Sequence, residues 1–293
     1  MKKRREARAA NTKMSGQGAV VFRRLLHNKL AMTSLIVLVI IILSAVFAEY
    51  VAPYDYAKQS ISERFQFPSW KHLMGTDDFG RDILSRIIYG GRISLYVSIM
   101  SVLSSLVVGG VLGATAAYFG GLYDSIVMRC MDVLMAIPAF LLAVSVSAAL
   151  GTGVTNSIIA LSIAGVPGSA RIMRATVLGI KDQEFVEAAE ANGASNLRII
   201  LYHILPNTFA PLLVDSTLRI GAYILQISSL SFIGLGVQPP TPEWGSILAA
   251  GRAYIRDFWP IIVFPGIAIM ITLVAFNLLG DGLRDAMDPR LKR

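Results

Sequence analysis

Long apolar runs separated by short polar interruptions dominate this chain. Residues 30–48 carry no charge, and neither do 93–123, 133–170 and 258–280. Each is long enough for at least one helical crossing of a bilayer, which takes about 20 residues. The 133–170 run is too long for one helix and breaks at Gly151-Thr152-Gly153, so it is read as two spans. A further span covers 206–230, interrupted by Asp215 and Arg219. The count is six. No segment alternates polar and apolar residues in the short register of barrel strands. In hydrocarbon each backbone amide must be satisfied within its own segment, so the expected fold is all-α, an integral membrane six-helix bundle.

The interruptions carry their own local signals. After the first span, Gly75-Thr76-Asp77-Asp78-Phe79-Gly80-Arg81-Asp82 leads into Ile83, Leu84, Ile87 and Ile88. That pattern predicts an amphipathic surface helix capped by Thr76 or Asp77. Between the fourth and fifth spans, Asp182 is placed to cap a short helix over 183–191. Asn192-Gly193 offers the left-handed residue that ends a helix. Ser195 caps a second short helix through Tyr202, and Pro206 opens the next span. The loop 181–206 therefore reads as helix, tight turn, helix. Its Ala188-Ala189 face admits a close partner, and Glu187 and Glu190 suit a basic one.

Composition agrees with that class. Hydrophobic residues make up 54% of the chain and charged residues 16%, the balance of an integral membrane protein. Charge fixes orientation. Residues 1–29 hold nine Lys or Arg against the single acid Glu6, which places this arm in the cytoplasm. Six crossings return Arg290, Lys292 and Arg293 to the same side. The positive charge is thus topological, and nucleic-acid binding is set aside because no basic groove interleaved with aromatics is present. Val46-Phe47-Ala48 before Glu49 has the form of a signal cleavage site. The basic region and apolar run are both too long for one, so the reading is an uncleaved anchor. The resulting organisation is a basic arm (1–29), an anchor helix (30–50), an external segment with the amphipathic helix (51–91), a five-helix core (92–282) carrying the loop 181–206, and a tail (283–293).

Several features admit two readings. Asp77 and Asp78 suit either a bound cation or capping with ion pairing to Arg81 or Arg86. Gly109 and Gly113 form a Gly-x-x-x-Gly pair for close helix approach, in this chain or against another subunit. Arg129 with Asp132, and Asp215 with Arg219, sit three and four residues apart, so each pair can neutralise itself on one helix face. Alternatively, these four charges line a pathway. On the external loop 234–259, Pro240, Glu243 and Trp244 form a stiff, aromatic docking surface, or Trp244 and Trp259 are interfacial anchors.

Enzyme chemistry finds little support. No phosphate-binding loop occurs, so ATP hydrolysis falls to other chains. His27, His72 and His203 all lie outside the assigned spans, and Cys130 is a lone thiol read as a packing residue. No metal site or cofactor is expected.

Glu187-Ala188-Ala189, Gly193 and Leu205-Pro206 resemble the cytoplasmic EAA loop of permease subunits from bacterial ABC importers. The usual Ile two residues before Leu-Pro is His203 here, and His203-Ile204-Leu205-Pro206-Asn207 has the form usual in the peptide-importing branch. Three more stretches resemble the C-type dipeptide/oligopeptide/nickel permeases. They are Gly75 to Arg86 running into Gly91-Arg92-Ile93-Ser94-Leu95, Ser231 to Pro240, and Gly280 to Arg290. The resemblance implies a type I importer permease in the cytoplasmic (inner) membrane. It implies a second homologous permease, two ATP-binding subunits and an extracytoplasmic substrate-binding protein docking near 234–259. Glu187, Ala188, Ala189 and Gly193 would transmit force, with Leu205 and Pro206 anchoring the element. Dipeptides, longer peptides, nickel complexes and glutathione-like peptides stay open as substrates, short peptides favoured because that branch is populous. The reading from another class is a stand-alone secondary transporter. Inverted-repeat hydropathy or an unpaired midplane acid would support it, and neither is visible.

Overall fold

The computed structural model describes residues 17–287. The basic residues from Lys2 to Lys13, and Arg290, Lys292 and Arg293, lie outside the described residues. Within them every named element is helical. Helix α1 is Gln17–His27 and α2 is Lys29–Val46, whose first turn is capped by Asn28 accepting from the Ala31 amide at 3.2 Å. There follow α3 (Ile83–Phe119), α4 (Gly121–Met135), α5 (Ala139–Leu150), α6 (Val154–Leu178), α7 (Glu184–Ala191), α8 (Asn196–Phe232), α9 (Trp244–Gly251) and α10 (Pro260–Met287). Helices α2, α3, α6, α8 and α10 are long and apolar enough to cross a membrane. The α4–α5 pair, bent by 85°, makes a sixth if it is one crossing.

That bend is a departure from the sequence pattern, in which 93–123 is one span and the next begins at 133. Instead α3 stops at Phe119 and α4 runs to Met135 before the chain turns sharply. The cause is Pro138, which has no amide to donate and bars its predecessor from helical geometry.

The separate amphipathic helix is also absent. Helix α3 is about 55 Å long at 1.5 Å per residue, well beyond a hydrocarbon core of about 30 Å. Ile83 and Ile87 are its own first turns, buried against Trp244 and Phe258. Its cap is Asp82, accepting from the Ser85 amide at 2.8 Å and hydroxyl at 2.7 Å. Thr76 and Asp77 organise the loop before it. Asp77 accepts from the Phe79 and Arg81 amides and from Arg81 Nε at 2.6 Å, with Arg86 Nε 3.5 Å away. The acids are thus engaged by the two arginines.

The bundle's spine is α3 against α6. A Cβ on Gly113 would stand 2.2 Å from the Ala170 carbonyl oxygen, and one on Gly109 2.6 Å from that of Val166. The small-residue pair therefore packs within this chain. Ser101 and Ser162 each donate across the seam to a backbone carbonyl at 3.4 Å, bonds worth about 0.6 kcal/mol apiece in a membrane.

In the segment between α8 and α10, Glu243 caps α9 in a capping box with Ser246. Its carboxylate also accepts from Ser94 at 2.9 Å and Ser228 at 3.2 Å, and it is 0% exposed. Trp244 is 2% exposed and donates from Nε1 to the Ile87 carbonyl at 2.9 Å. Both side chains tie α9 to α3 and α8, which removes them from any docking surface and removes Trp244 as an interfacial anchor. A buried indole needs both an apolar bed and an acceptor, and here it finds both. Pro240 is exposed, and Trp259 is 46% exposed.

Candidate functional site

The polar loop between α6 and α8 is built mainly from local chemistry. Helix α6 ends at Leu178 with Gly179 as its C-cap, and the Ile180 and Lys181 amides fold back onto the Val177 carbonyl. The N-cap of α7 is Gln183, one residue beyond the predicted Asp182, and its side chain donates to the Gly179 carbonyl at 3.1 Å. At the far end Gly193 has φ +75°. Its amide donates to Glu190 and that of Ala194 to Ala189, the paired bonds of a Schellman turn.

Burial sorts the residues of α7 by role. Val186 and Ala189 face inward, clustered with Ala114, Met173, Val177 and Ile204. Glu187 and Ala188 face outward together with Glu184 and Phe185. The predicted Ala188-Ala189 contact face is therefore split. Ala188 is presented, while Ala189 anchors the helix to its own bundle. No cation pairs with Glu184 or Glu187 among the described residues.

After the turn the chain does not start, stop and start again. Asn196–Phe232 is one continuous helix containing a π-helical segment, Ile199–Ile204. The Leu205 amide reaches back five residues to the Ile200 carbonyl. Pro206, which has no amide, thus sits inside a helix widened to admit it. Leu205 packs against the inward cluster, and Pro206 is exposed. Leu197 and Tyr202, 67% and 74% exposed, extend the outward face begun by Phe185. Tyr118 Oη donates to Asn196 Oδ1 at 3.1 Å and pins the start of α8 to the end of α3.

The intramembrane charges divide. Asp215 and Arg219 pair along α8 at 2.6 Å, as their spacing predicts. Arg219 Nη1 also donates to the Gly165 carbonyl at 3.2 Å and Ser169 Oγ at 3.3 Å, gripping α6 beside its internal Pro167. Asp132, by contrast, does not pair with Arg129. It takes Arg171 of α6 at 2.8 Å, and Asp124 holds Arg174 through two bonds of 2.6 Å. Asp124, Arg171 and Arg174 were not singled out by the sequence pattern. The available signal is that Arg171 and Arg174 lie three apart on one helix face.

Residues 107–293 match the family described as binding-protein-dependent transport system inner membrane component. Residues 16–68 match the N-terminal TM domain of oligopeptide transport permease C. The chain is 44% identical over 271 residues to the dipeptide transport system permease protein DppC of Alkalihalophilus pseudofirmus, covering 92% of this chain and 89% of that one. It is also 44% identical over 272 residues to the glutathione transport system permease protein GsiD of Escherichia coli, covering 92% and 90%. A solved structure of the MetNI methionine ABC transporter in inward-facing conformations superposes with a TM-score of 0.58 at 17% identity, over 70% of this chain and 98% of its own. At that identity the likeness speaks to fold.

Proposed function

This chain belongs to the family of binding-protein-dependent transport system inner membrane components, and from that premise we propose that it forms half of the translocation pathway of an ATP-driven importer of short peptides. It is a transmembrane permease subunit of an ABC importer. The proposed second half is a homologous permease, and two ATP-binding subunits supply the energy. A substrate-binding protein on the outer face delivers the ligand. The chain resides in the bacterial cytoplasmic membrane with both termini inside.

The observation that carries this reading is the geometry of α7. It presents Glu184, Glu187 and Ala188 to solvent, while Val186 and Ala189 lock it to the bundle between the inner ends of α6 and α8. A soluble subunit pushing on α7 moves both helices, because the Schellman turn at Gly193 leaves little slack. Glu187, Ala188, Ala189 and Gly193 transmit the displacement, and Leu205 and Pro206 connect it to α8. A bundle with two arrangements, biased by nucleotide inside and loaded binding protein outside, switches access. Short peptides are chosen as the substrate because relatives along nearly the whole chain are named for dipeptide and glutathione transport.

The test is affinity purification of the chain from its native membrane in mild detergent, with mass spectrometry of what stays bound. A second permease with phosphate-loop ATPases is the expected result. The accompanying binding protein is then titrated with dipeptide and with nickel. Recovery of this chain alone, with uptake that runs without ATP, overturns the proposal in favour of a secondary transporter. A binding protein that takes nickel and no peptide overturns the substrate alone.

A further inference from the structure

A charged groove between α4 and α6 plays no part in the coupling element, and its charges do not balance. Asp124, Arg129 and Asp132 line it from α4, and Arg171 and Arg174 from α6. Arg174 is locked in a two-bond fork on Asp124, the most rigid arrangement for a guanidinium. Arg171 makes a single 2.8 Å bond to Asp132, and both partners are half exposed. Arg129 has no carboxylate partner among the described residues. Three guanidiniums against two carboxylates leave one positive charge facing an open space of about 430 Å³. Small-ligand sites typically run from about 300 to 1,000 Å³.

The groove's position limits what it faces. Helix α4 packs mainly on α3 and α6, at the margin of the bundle. Arg174 is one turn from the end of α6, so the groove opens on the same side as α7. Five ionised side chains are too costly to turn toward acyl chains, so they face water.

Resting on the peptide-importer reading above, we propose that this groove is a release-side subsite for short peptides, in which Arg129 receives the free C-terminal carboxylate. The surplus charge of +1 matches one carboxylate, and the planar guanidinium fork matches its geometry. The Asp124–Arg174 fork keeps the groove in shape, Arg171 stays on Asp132, and the peptide's ammonium remains in the water on which the groove opens. Met128, also in the lining, is a wall that adapts to varied side chains.

The experiment uses the whole importer, reconstituted without nucleotide in phosphatidylcholine nanodiscs. Cys130→Ala removes the native thiol and Ser125→Cys places a reporter in the lining. At about 2 mM dialanine, maleimide labelling of the reporter slows about threefold for a site of roughly 1 mM affinity. Dialanine amide, which lacks the carboxylate, leaves the rate unchanged. Adding Arg129→Gln abolishes the slowing, and Arg129→Lys restores part of it. ATP-driven dialanine uptake in vesicles is measured in parallel. Uptake without protection, or equal protection by the amide, overturns the subsite and leaves the importer intact. Slowing produced by phosphatidylglycerol in place of peptide overturns it in favour of a lipid headgroup. Absence of ATP-driven uptake removes the importer reading and the subsite with it.

Discussion

Gly193 is constrained by its backbone and by nothing around it. Its φ is +75°, yet a Cβ there would meet nothing within 4 Å. Substitution effects at this position therefore follow left-handed propensity, not side-chain size. Gly193→Asn is expected to keep peptide uptake. Gly193→Val, strained by about 1–3 kcal/mol, is expected to hydrolyse ATP without uptake. Paired uptake and phosphate-release assays check this, and a Val variant with normal uptake refutes the role. Asp78 illustrates a different residue-scale effect. Burial, and then the neighbouring Asp77 carboxylate, hold it above the usual carboxylate range, with Arg81 offsetting only part. An acid so raised contributes stability below its unfolded value and loses that contribution as pH climbs through the raised one. Asp78→Asn removes the loss. The variant's thermal midpoint is expected to exceed the wild type's at pH 7.5, with the gap closing below about pH 4. A gap that widens in acid would count against the buried-acid account.

Among the elements, α8 departs most from what its sequence suggests. Pro206 reads as a helix start, but the helix passes through it by widening to a π turn over Ile199–Ile204. Restoring the amide with Pro206→Ala lets that segment relax to α geometry. Dropping one residue from the turn rotates everything before it by about 100° and shifts it by about 1.5 Å. The outward face of Leu197 and Tyr202 then no longer aligns with α7. Uptake is expected to fall while ATP hydrolysis persists, and unchanged uptake would mean the π turn does not set the register of the coupling element. The turn at 192–195 was legible because three or four adjacent residues fix it. The π segment was not, because a proline compatible with a helix start is equally compatible with a bulge, and only packing of Ile199, Ile200 and Ile204 into the bundle selects between them.

For the whole molecule, both ends of the bundle converge on the same few helices. At one end, Glu243 and Trp244 bind α9 to α3 and α8, and at the other, α7 bridges α6 and α8. Midway, Arg219 clamps α8 to α6. Displacement at either face is therefore expected to register at the other. The proposed orientation makes a direct prediction. In a Cys130→Ala background, an impermeant maleimide should label Trp70→Cys in intact cells, and Ser195→Cys only after permeabilisation. The reverse pattern would invert the topology. The sequence alone determined the all-helical class, five of the apolar segments long enough to cross, the turn at Gly193 and the Asp215–Arg219 pair. Each follows from interactions within a helical turn or from the demand of hydrocarbon for internally bonded backbone. Tertiary structure decided that Gly113 meets Ala170, that Asp132 takes Arg171 and not Arg129, and that Trp244 donates to the Ile87 carbonyl from a buried site. Those partners lie from 39 to 157 positions apart. A carboxylate or indole with several chemically suitable partners is assigned to one of them only when helices close over it.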